Sequence, residues 1–306
     1  MSKRIIVTGG SGFLGKHLIT RLLTEGHQVT NIDLRPFDGC ETFIADVKDQ
    51  EAMKELIVDA DVVFHLASLI EAGESVKQPQ RYIDDNISGT LNVLEAMRAN
   101  GVASIVFSSS AAVYGEPTQT PLTEEAVTLP TNPYGMTKLA MEGLVSSYVA
   151  THGLTGVALR YFNLYGPGED HQPETHAIPR FIKQIYDDES VTVWGDGGHQ
   201  RDFVYIDDVV TAHVQALELL DKQPNRYHYY NLSTEQPATV LQIAQKIGHL
   251  LGKEPRIEHF PDRLGDPRVL YASAVKVRES LGWRATVFLD EGLEKTVEWF
   301  VERWRG

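Results

Sequence analysis

One stretch constrains the fold more than any other part of the chain: residues 3–33, KRIIVTGGSGFLGKHLITRLLTEGHQVTNID. A short apolar run, Ile5–Val7, ends abruptly at a glycine cluster, as a buried strand does when it enters a tight turn. Apolar residues then recur at helical spacing, Gly26 supplies a helix stop, and residues 28–32 have the character of a second strand. The sequence therefore predicts a βαβ unit with glycines at its first turn.

The glycines of this turn point to a ligand. Gly10, Gly12 and Gly15 fit the pattern G-x-G-x-x-G, and Gly9 gives a second, wider register. A turn without side chains lets backbone N–H groups approach a pyrophosphate at a helix N-terminus. Asp33 ends the second predicted strand, where its carboxylate can accept hydrogen bonds from an adenosine ribose. This arrangement favours dinucleotide binding over an ordinary turn, and NAD over NADP, because the carboxylate would repel a 2′-phosphate.

The composition excludes several classes of function. Of the 306 residues, 42% are hydrophobic and 23% charged, as in ordinary globular proteins. A net charge of −14 without a basic arm argues against nucleic acid as a partner. The single cysteine, Cys40, excludes intramolecular disulfides and cysteine-based metal sites, and the 11 histidines are scattered, so no metal is predicted. Because neither a signal sequence nor an apolar run of membrane length is present, we expect a cytoplasmic protein and no membrane partner.

The order of predicted elements indicates an α/β protein. Helices are predicted near residues 48–58, 82–100 and 134–152, and strands near 61–66, 104–108 and 156–160. Strands that alternate with helices are typical of a parallel sheet covered on both faces. Beyond Leu164, glycines and prolines divide the chain into short elements. We expect a Rossmann-type doubly wound parallel sheet over 1–163, joined by parts of 203–232, and a smaller C-terminal α/β substrate lobe over 164–306. The cleft between them is the expected ligand site.

Two segments carry the sharpest catalytic pattern. Tyr134 and Lys138, four residues apart in a predicted helix, face the same side one turn apart. A phenol with the ordinary pKa of about 10 is a poor base at neutral pH, but a nearby ammonium and a charged nicotinamide would stabilise the phenolate. Taken alone, such a pair could equally lie on a helix surface. Ser110 changes this, because it follows a predicted strand whose C-terminal end would place the hydroxyl in the ligand crevice.

Ordered motifs along the chain carry a family resemblance. They run from Thr8 to Arg268: TGGSGFLG, Asp33, Asp46-Val47, HLAS, DNISGT, SSSAAVYG, NPYGMTK, LRYFNLYGP, GDGGHQRDFVYIDD and RLGDPR. The sequence resembles the extended short-chain dehydrogenase/reductases, in particular the NAD-dependent epimerase/dehydratase family. Within that family the Gly-Glu-Ser of residues 73–75 is most similar to the UDP-glucose 4-epimerases. Ala111 and Ala112 stand where the 4,6-dehydratases, by resemblance, carry an Asp-Glu pair.

The resemblance implies an NAD-dependent isomerase that epimerises a UDP-hexose (UDP-glucose/UDP-galactose) at C4 through a transient 4-keto intermediate, with Tyr134 as the base. It leaves open a UDP-glucuronate or UDP-N-acetylhexosamine 4-epimerase, a net reductase, and a catalytically silent NAD-binding sensor. Leu270 aligns with a position that is often a large tyrosine in the family, so N-acetylated sugars would fit. The family usually forms homodimers through two helices per subunit, here around 87–98 and 139–150.

The resemblance also implies the site residues. NAD would contact Gly9, Gly12, Phe13, Leu14, Gly15, Asp33, Asp46, Val47, Leu66, Ala67, Asn86, Ser108, Tyr134, Lys138 and Phe162. The UDP-sugar would contact Ser110, Tyr134, Asn163, His176, Trp194, Arg201, Arg263 and Asp266, with Ser110, Tyr134 and Lys138 as the catalytic residues. Arginine suits a diphosphate because its planar fork pairs with two phosphate oxygens, although Arg201 and Arg263 could instead form surface ion pairs. Ile70 replaces a lysine that lies near the nicotinamide in the best-known bacterial enzymes, so one NAD contact is missing.

Overall fold

The computed structural model describes residues 2–170, 176–262 and 267–305. The strands are β1 (Arg4–Thr8), β2 (Gln28–Asp33), β3 (Glu41–Ile44), β4 (Val62–His65), β5 (Ser104–Ser110), β6 (Thr155–Tyr161), β7 (Asn163–Tyr165), β8 (Val191–Trp194), β9 (Gln200–Arg201), β10 (Phe203–Tyr205), β11 (Tyr227–Leu232), β12 (Ala238–Thr239), β13 (Ile257–Phe260) and β14 (Val269–Leu270). The helices are α1 (Phe13–Thr24), α2 (Gln50–Leu56), α3 (Ala72–Lys77), α4 (Pro79–Tyr82), α5 (Gly89–Asn100), α6 (Pro133–His152), α7 (Ala177–Tyr186), α8 (Ile206–Lys222), α9 (Val240–Leu251), α10 (Val275–Leu281) and α11 (Leu289–Arg305). Within these ranges, every helix is too short or too polar to cross a lipid bilayer.

A central sheet of seven strands organises the molecule. Its order is β11–β6–β5–β4–β1–β2–β3, and all neighbouring pairs are parallel. The apolar β1 has a core on each face: Ile5 and Val7 pack with α1 and α8, whereas Ile6 packs with α2, α5 and α6. A strand buried on both faces has no polar face to alternate with, which is why Ile5–Val7 is uniformly apolar. The predicted Rossmann-type α/β fold is confirmed.

The chain leaves this sheet after β6 and later returns to it. β7 pairs with β10 beside the sheet, α8 packs against α1, and β11 then adds the edge strand next to β6. The other C-terminal elements include two further small sheets, β12–β9–β14 and β13–β8, together with α7 and α9. These elements lie over the C-terminal ends of the central strands, so a cleft forms at that edge.

The region predicted as one helix near 82–100 is more complex. Between α4 and α5 the residues Ile83–Ser88 form a π-helical segment, which contains Asn86. Such segments are rare and occur frequently at functional sites. The predicted strand near 104–108 also continues to Ser110, because its last residues pair with β6, Ser109 with Arg160 and Ser110 with Tyr161.

Candidate active site

A cavity of about 1020 Å³ lies between the central sheet and the C-terminal elements. Nearly all the described site candidates line it: Gly9, Gly12, Phe13, Leu14, Gly15, Asp33, Asp46, Val47, Leu66, Ala67, Ser108, Ser110, Tyr134, Lys138, Phe162, Asn163, His176, Trp194 and Arg201. Asn86 lies behind the wall, and Arg263 and Asp266 lie outside the described residues. The volume is at the upper end of ligand sites, so it can take two ligands side by side.

The glycine turn forms one end of this cavity. Gly9 has a φ of +78°, and a Cβ there would lie 2.5 Å from the backbone nitrogen of Ala67. A Cβ on Gly15 would lie 2.5 Å from both the carbonyl oxygen of Gly9 and the Cα of Gly10. α1 begins directly after Gly12, and within the described chain no side chain caps it. The first N–H groups and the positive end of the helix dipole therefore face a cradle without side chains, which fits a dinucleotide pyrophosphate.

We expect Gly15→Ala to lower NAD affinity at least about tenfold and the free energy of unfolding by about 1–3 kcal/mol, because the new methyl group would displace the turn. NAD titration by calorimetry and thermal unfolding measure the two effects. Gly143→Ala is the matched control: it lies in α6, and apart from its chain neighbours and the backbone of its own helix no described atom lies within 4 Å of the added Cβ. This control should keep NAD affinity and gain up to about 1 kcal/mol. Unchanged NAD affinity in Gly15→Ala would show that the turn does not hold the cofactor.

Asp33, the residue predicted to bind the adenosine ribose, lines the cavity at the end of β2. Its carboxylate accepts hydrogen bonds from the backbone N–H groups of Ser11 (2.9 Å) and Arg35 (3.0 Å), which fix it at the end of β2. The Arg35 guanidinium contacts the Ser11 carbonyl oxygen at 3.4 Å. Asp46 and Val47 line the neighbouring wall. The arrangement holds a carboxylate where ribose hydroxyls can donate to it.

The predicted catalytic residues meet where β5 ends against the start of α6. The Asn132 side chain caps α6 by accepting from Gly135 N at 2.9 Å. The hydroxyl oxygen of Ser75 accepts from Tyr134 N at 3.1 Å, which fixes the first turn of the helix. The Ser110 side chain lies close enough to the Tyr134 phenol to oppose the rise in the pKa of that phenol. A helix terminus and a strand end therefore place the serine and tyrosine hydroxyls together on the cavity wall.

Lys138 lies one turn further along α6 and is buried. Its ammonium donates to the Ser68 hydroxyl (2.8 Å) and to the Ser108 carbonyl oxygen (2.9 Å), and lies 5.9 Å from the centre of the Tyr134 ring. Burial lowers the pKa of Lys138 to about 7, although the Glu142 carboxylate opposes this. Burial raises the pKa of Tyr134 to about 12, although the Ser110 side chain opposes this. The phenolate at neutral pH therefore needs a further positive charge nearby.

Asn86 differs from the other candidates because it does not line the cavity; instead, it holds two residues of the cavity region in place from the protein interior. Its side-chain oxygen accepts from Leu69 N at 2.7 Å, and its amide donates to the Leu69 carbonyl oxygen at 3.1 Å. The same amide donates to the Thr137 hydroxyl at 2.9 Å. The π-helical segment turns this side chain inward, where it joins the loop after β4 to the catalytic helix.

The C-terminal elements contribute most of the candidates for the UDP group to the cavity wall. Arg201 and Trp194 line it from β9 and β8, and the guanidinium of Arg180 lies 4.6 Å from the Trp194 ring centre. The ring nitrogens of His176 lie 2.6 Å from the Glu169 carboxylate and 3.5 Å from the Glu71 carboxylate. Burial lowers the pKa of His176, but the two carboxylates outweigh burial, so the pKa is raised overall. In the described ranges, no group of three or more histidines, cysteines or acids is placed to hold a metal ion.

Some residues at the site had not been singled out from the sequence. Ser68 was part of the HLAS motif without a role, and Arg180 lies in an ordinary amphipathic helix. Tyr161 lines the cavity and its hydroxyl contacts His213 Nε2 at 2.7 Å and Ser108 Oγ at 3.2 Å. Its position at the C-terminal end of a predicted central strand, in the run RYFN, is the sequence pattern that could have indicated it, because the C-terminal ends of central strands border the crevice.

A glycine cradle and a Ser-Tyr-Lys group in one cavity, at the C-terminal edge of a doubly wound sheet, define a dinucleotide-dependent enzyme of the short-chain dehydrogenase/reductase class. The chain belongs to the NAD dependent epimerase/dehydratase family, whose model matches residues 5–232. The predictions of the family and of NAD as the cofactor are thereby confirmed.

Individual relatives narrow the comparison. A UDP-glucose 4-epimerase from Lacticaseibacillus casei is 36% identical over 318 residues, covering 96% of this chain and 94% of the relative. The crystal structure of a UDP-glucose 4-epimerase from Thermotoga maritima with UDP-glucose gives a TM-score of 0.93 at 33% identity, covering 98% of this chain and 99% of that one. The structure of a UDP-N-acetylglucosamine 4-epimerase from Methanobrevibacter ruminantium, in complex with UDP-N-acetylmuramic acid, gives a TM-score of 0.91 at 30% identity, covering 99% of each chain. The predicted likeness to the UDP-glucose 4-epimerases is confirmed.

Proposed function

We propose that this protein interconverts the C4 epimers of a UDP-hexose, UDP-glucose and UDP-galactose, with NAD retained in the site. The observation that carries the proposal is the Ser110–Tyr134–Lys138 group, which shares one cavity with the glycine cradle. Ala111 and Ala112 also line this cavity, at the positions where dehydration would need carboxylates. The names of the relatives support the same substrate class.

The residues that would hold NAD are distributed along the sheet edge. The glycine turn would hold the pyrophosphate, Asp33 the adenosine ribose, and Asp46 and Val47 the adenine. Lys138 would reach the nicotinamide ribose, and Phe162 would border the nicotinamide. When bound, NAD would supply a positively charged, reversible acceptor for the hydride at C4 of the sugar.

The protein's own part of the reaction is proton transfer at one oxygen. Tyr134, as the phenolate, takes the proton from the C4 hydroxyl of the sugar. The Ser110 hydroxyl, which lies beside the phenol, orients the Tyr134 oxygen and the C4 oxygen of the sugar. The ammonium of Lys138 stabilises the phenolate across the 5.9 Å that separates it from the ring centre. After the 4-keto sugar has turned, Tyr134 returns the proton to the same oxygen. The protein therefore ends each cycle in the state in which it began.

Turning the sugar requires a firm hold on the rest of the substrate. Arg201 and Trp194 line the cavity from β9 and β8, where they would bind the diphosphate and the base. Asn163 and His176 would add hydrogen bonds, together with Arg263 and Asp266. With the nucleotide held in this way, the hexose alone reorients.

The test uses purified protein with UDP-galactose and, separately, UDP-N-acetylgalactosamine, without added cofactor. The nucleotide sugars are then separated intact. We expect UDP-glucose to form from UDP-galactose without net NADH. No conversion of either sugar, even with added NAD, would overturn the proposal and make UDP-glucuronate the next substrate to test. Failure with that sugar as well would favour the silent NAD-binding sensor.

A second candidate, a UDP-N-acetylhexosamine 4-epimerase, is favoured by one observation. Leu270 lines the cavity where a bulkier residue would narrow it. The ratio of the two rates in the same assay reports what this position admits. A higher rate with the N-acetylated sugar would make this candidate the main activity.

The assembly and location of the protein stay predictions. A homodimer would form through α5 and α6, and the half-exposed Leu91 of α5 is available to such an interface. The cytoplasm would supply the nucleotide sugars that the proposed reaction consumes.

A further inference from the structure

A buried ion pair lies directly behind the catalytic group. Glu142 is one helical turn beyond Lys138 on α6, and the Arg160 guanidinium binds its carboxylate through two parallel hydrogen bonds of 2.8 and 2.6 Å. Their side chains are 6% and 5% exposed. Two charges removed from water gain little net stability over an apolar pair, so a buried pair is weak support for stability. Its position beside the site suggests a different role.

Arg160 is held rigidly in place. Its guanidinium carbon lies 5.0 Å from the ring centre of Tyr114 and 4.8 Å from that of Tyr229, so the guanidinium has an aromatic ring on two sides. It also donates to the Tyr114 hydroxyl at 2.7 Å, and that hydroxyl donates to Asn231 Oδ1 at 2.7 Å. Through these contacts β6 and β11 fix the direction of the fork that binds Glu142.

Glu142 in turn holds the strand that carries the catalytic contacts. The Ser109 hydroxyl donates to its carboxylate at 2.5 Å. Ser109 lies between Ser108, whose carbonyl oxygen accepts from Lys138, and Ser110, whose side chain lies beside the Tyr134 phenol. One carboxylate therefore joins the catalytic helix to the middle residue of the strand end that both catalytic side chains contact.

The charge of Glu142 also acts on Lys138. Burial lowers the pKa of Lys138, and the nearby carboxylate raises it. The other titratable neighbours are Tyr134 on the same helix and His65 on β4. His65 is buried, which lowers its pKa to about 3, so it is neutral and adds no charge at working pH. Glu142 is thus the neighbour that favours the ammonium.

We propose that Glu142, oriented by Arg160, is a positioning residue of the reaction: it fixes the strand end at Ser108–Ser110 and keeps Lys138 charged. The inference rests on the proposed function, in which the charged Lys138 stabilises the Tyr134 phenolate. Neither member of the pair contacts the reactants in this role.

Glu142→Gln tests the electrostatic part, because it keeps the size of the side chain and an acceptor for Ser109 but removes the charge. The first readout is the titration of Lys138 by NMR on protein labelled at lysine Cε, with the signal assigned by its loss in Lys138→Met. Loss of a negative neighbour favours neutral lysine, so we expect the pKa of Lys138 to fall by about 0.5–1 unit. The basic limb of the kcat profile should move to lower pH by the same amount, so that the loss of rate is about three- to tenfold on the parent's basic limb and small on its acid limb.

Two variants act as controls. Glu142→Asp keeps the negative charge, so the pKa of Lys138 in this variant should be close to that in the parent. Asp208→Asn removes another buried carboxylate, which accepts from Thr286 and Val287 far along the chain, and should lower stability without moving the basic limb. An unmoved Lys138 titration in Glu142→Gln, with rates lowered equally at every pH, would overturn the electrostatic part of the proposal.

Arg160→Lys tests the positioning part and serves if Glu142→Gln does not fold. It keeps the positive charge but loses the fork, so kcat should fall several-fold while KM and the Lys138 titration stay unchanged. A kcat equal to that of the parent would overturn this part. An inactive parent protein would refute the proposed function. The NMR titration needs no substrate, so it would still decide whether Glu142 raises the pKa of Lys138.

Discussion

Replacing Tyr134 with phenylalanine lowers kcat by about 10²–10⁴-fold and leaves the KM for the UDP-sugar within about threefold. The phenol oxygen is the group that we propose exchanges a proton with the C4 hydroxyl, and the ring of phenylalanine keeps the packing. The pKa of Tyr134, raised to about 12 by burial, shows how poorly the protein alone supports the phenolate. Its ionised form at neutral pH therefore depends on positive charges gathered at the site, namely Lys138 and the bound cofactor.

A matched tyrosine separates this chemistry from packing. The buried hydroxyl of Tyr165 has no hydrogen-bond partner among the described residues, so Tyr165→Phe removes an unsatisfied polar group. This control should keep kcat within about twofold and gain up to about 1 kcal/mol of stability. The measurement is initial rate against substrate concentration, with NAD content determined for each variant. A Tyr134→Phe protein that retains NAD and has the parent's kcat would refute the proposed base.

The central sheet and the catalytic spacing could be predicted because both are local patterns. The apolar run at Ile5–Val7 and the glycines after it determine a strand and a turn within a few residues of chain. Likewise, Tyr134 and Lys138 lie on one helix, so their separation fixes their relative direction once the helix forms. Neither inference needs a contact between distant parts of the sequence.

What could not be predicted depends on long-range contacts. Asn86 lies in a π-helical segment, which shifts the phase of the helix and turns the side chain toward Leu69 and Thr137. Helical periodicity, which assumes one uniform helix, does not show this shift. His176 is approached by Glu71 and Glu169, which come from different loops. Such a cluster exists only after folding.

The pair of Glu142 and Arg160 shows the same limit in a more informative way. A glutamate four residues after the predicted catalytic lysine is visible in the sequence, and helical geometry puts the two on one face. That Arg160, on a strand, neutralises the glutamate from the other side is a tertiary fact. The proximity of Glu142 to Lys138 can therefore be predicted from the sequence, whereas the contact of Glu142 with Arg160 depends on how α6 packs against the sheet.

Lys138→Met should separate activity from stability. We expect kcat to fall at least about 10²-fold, because the phenolate loses the charge that stabilises it. The free energy of unfolding at pH 7 should change by less than about 2 kcal/mol, since losing the hydrogen bonds to Ser68 and Ser108 is offset by removing a desolvated ammonium.

The pH dependence of this stability difference has a definite sign. The pKa of Lys138 is about 7 in the folded protein, below the ordinary value of 10.5, so between these values the unfolded chain binds a proton that the folded protein does not. Stability rises with pH wherever the unfolded state binds more protons, so Lys138 costs the parent most below about pH 7 and least near pH 10. As the pH rises from about 7 to about 9.5, the free energy of unfolding of the parent should therefore increase by a few kcal/mol relative to that of Lys138→Met. Urea unfolding without cofactor measures this difference. Lys222→Met, which replaces a lysine whose side chain is 70% exposed, should show no such change relative to the parent. Equal pH slopes for the parent and Lys138→Met would mean that the folded protein does not lower the pKa of Lys138, and the account of how the site holds its charge would fail with it.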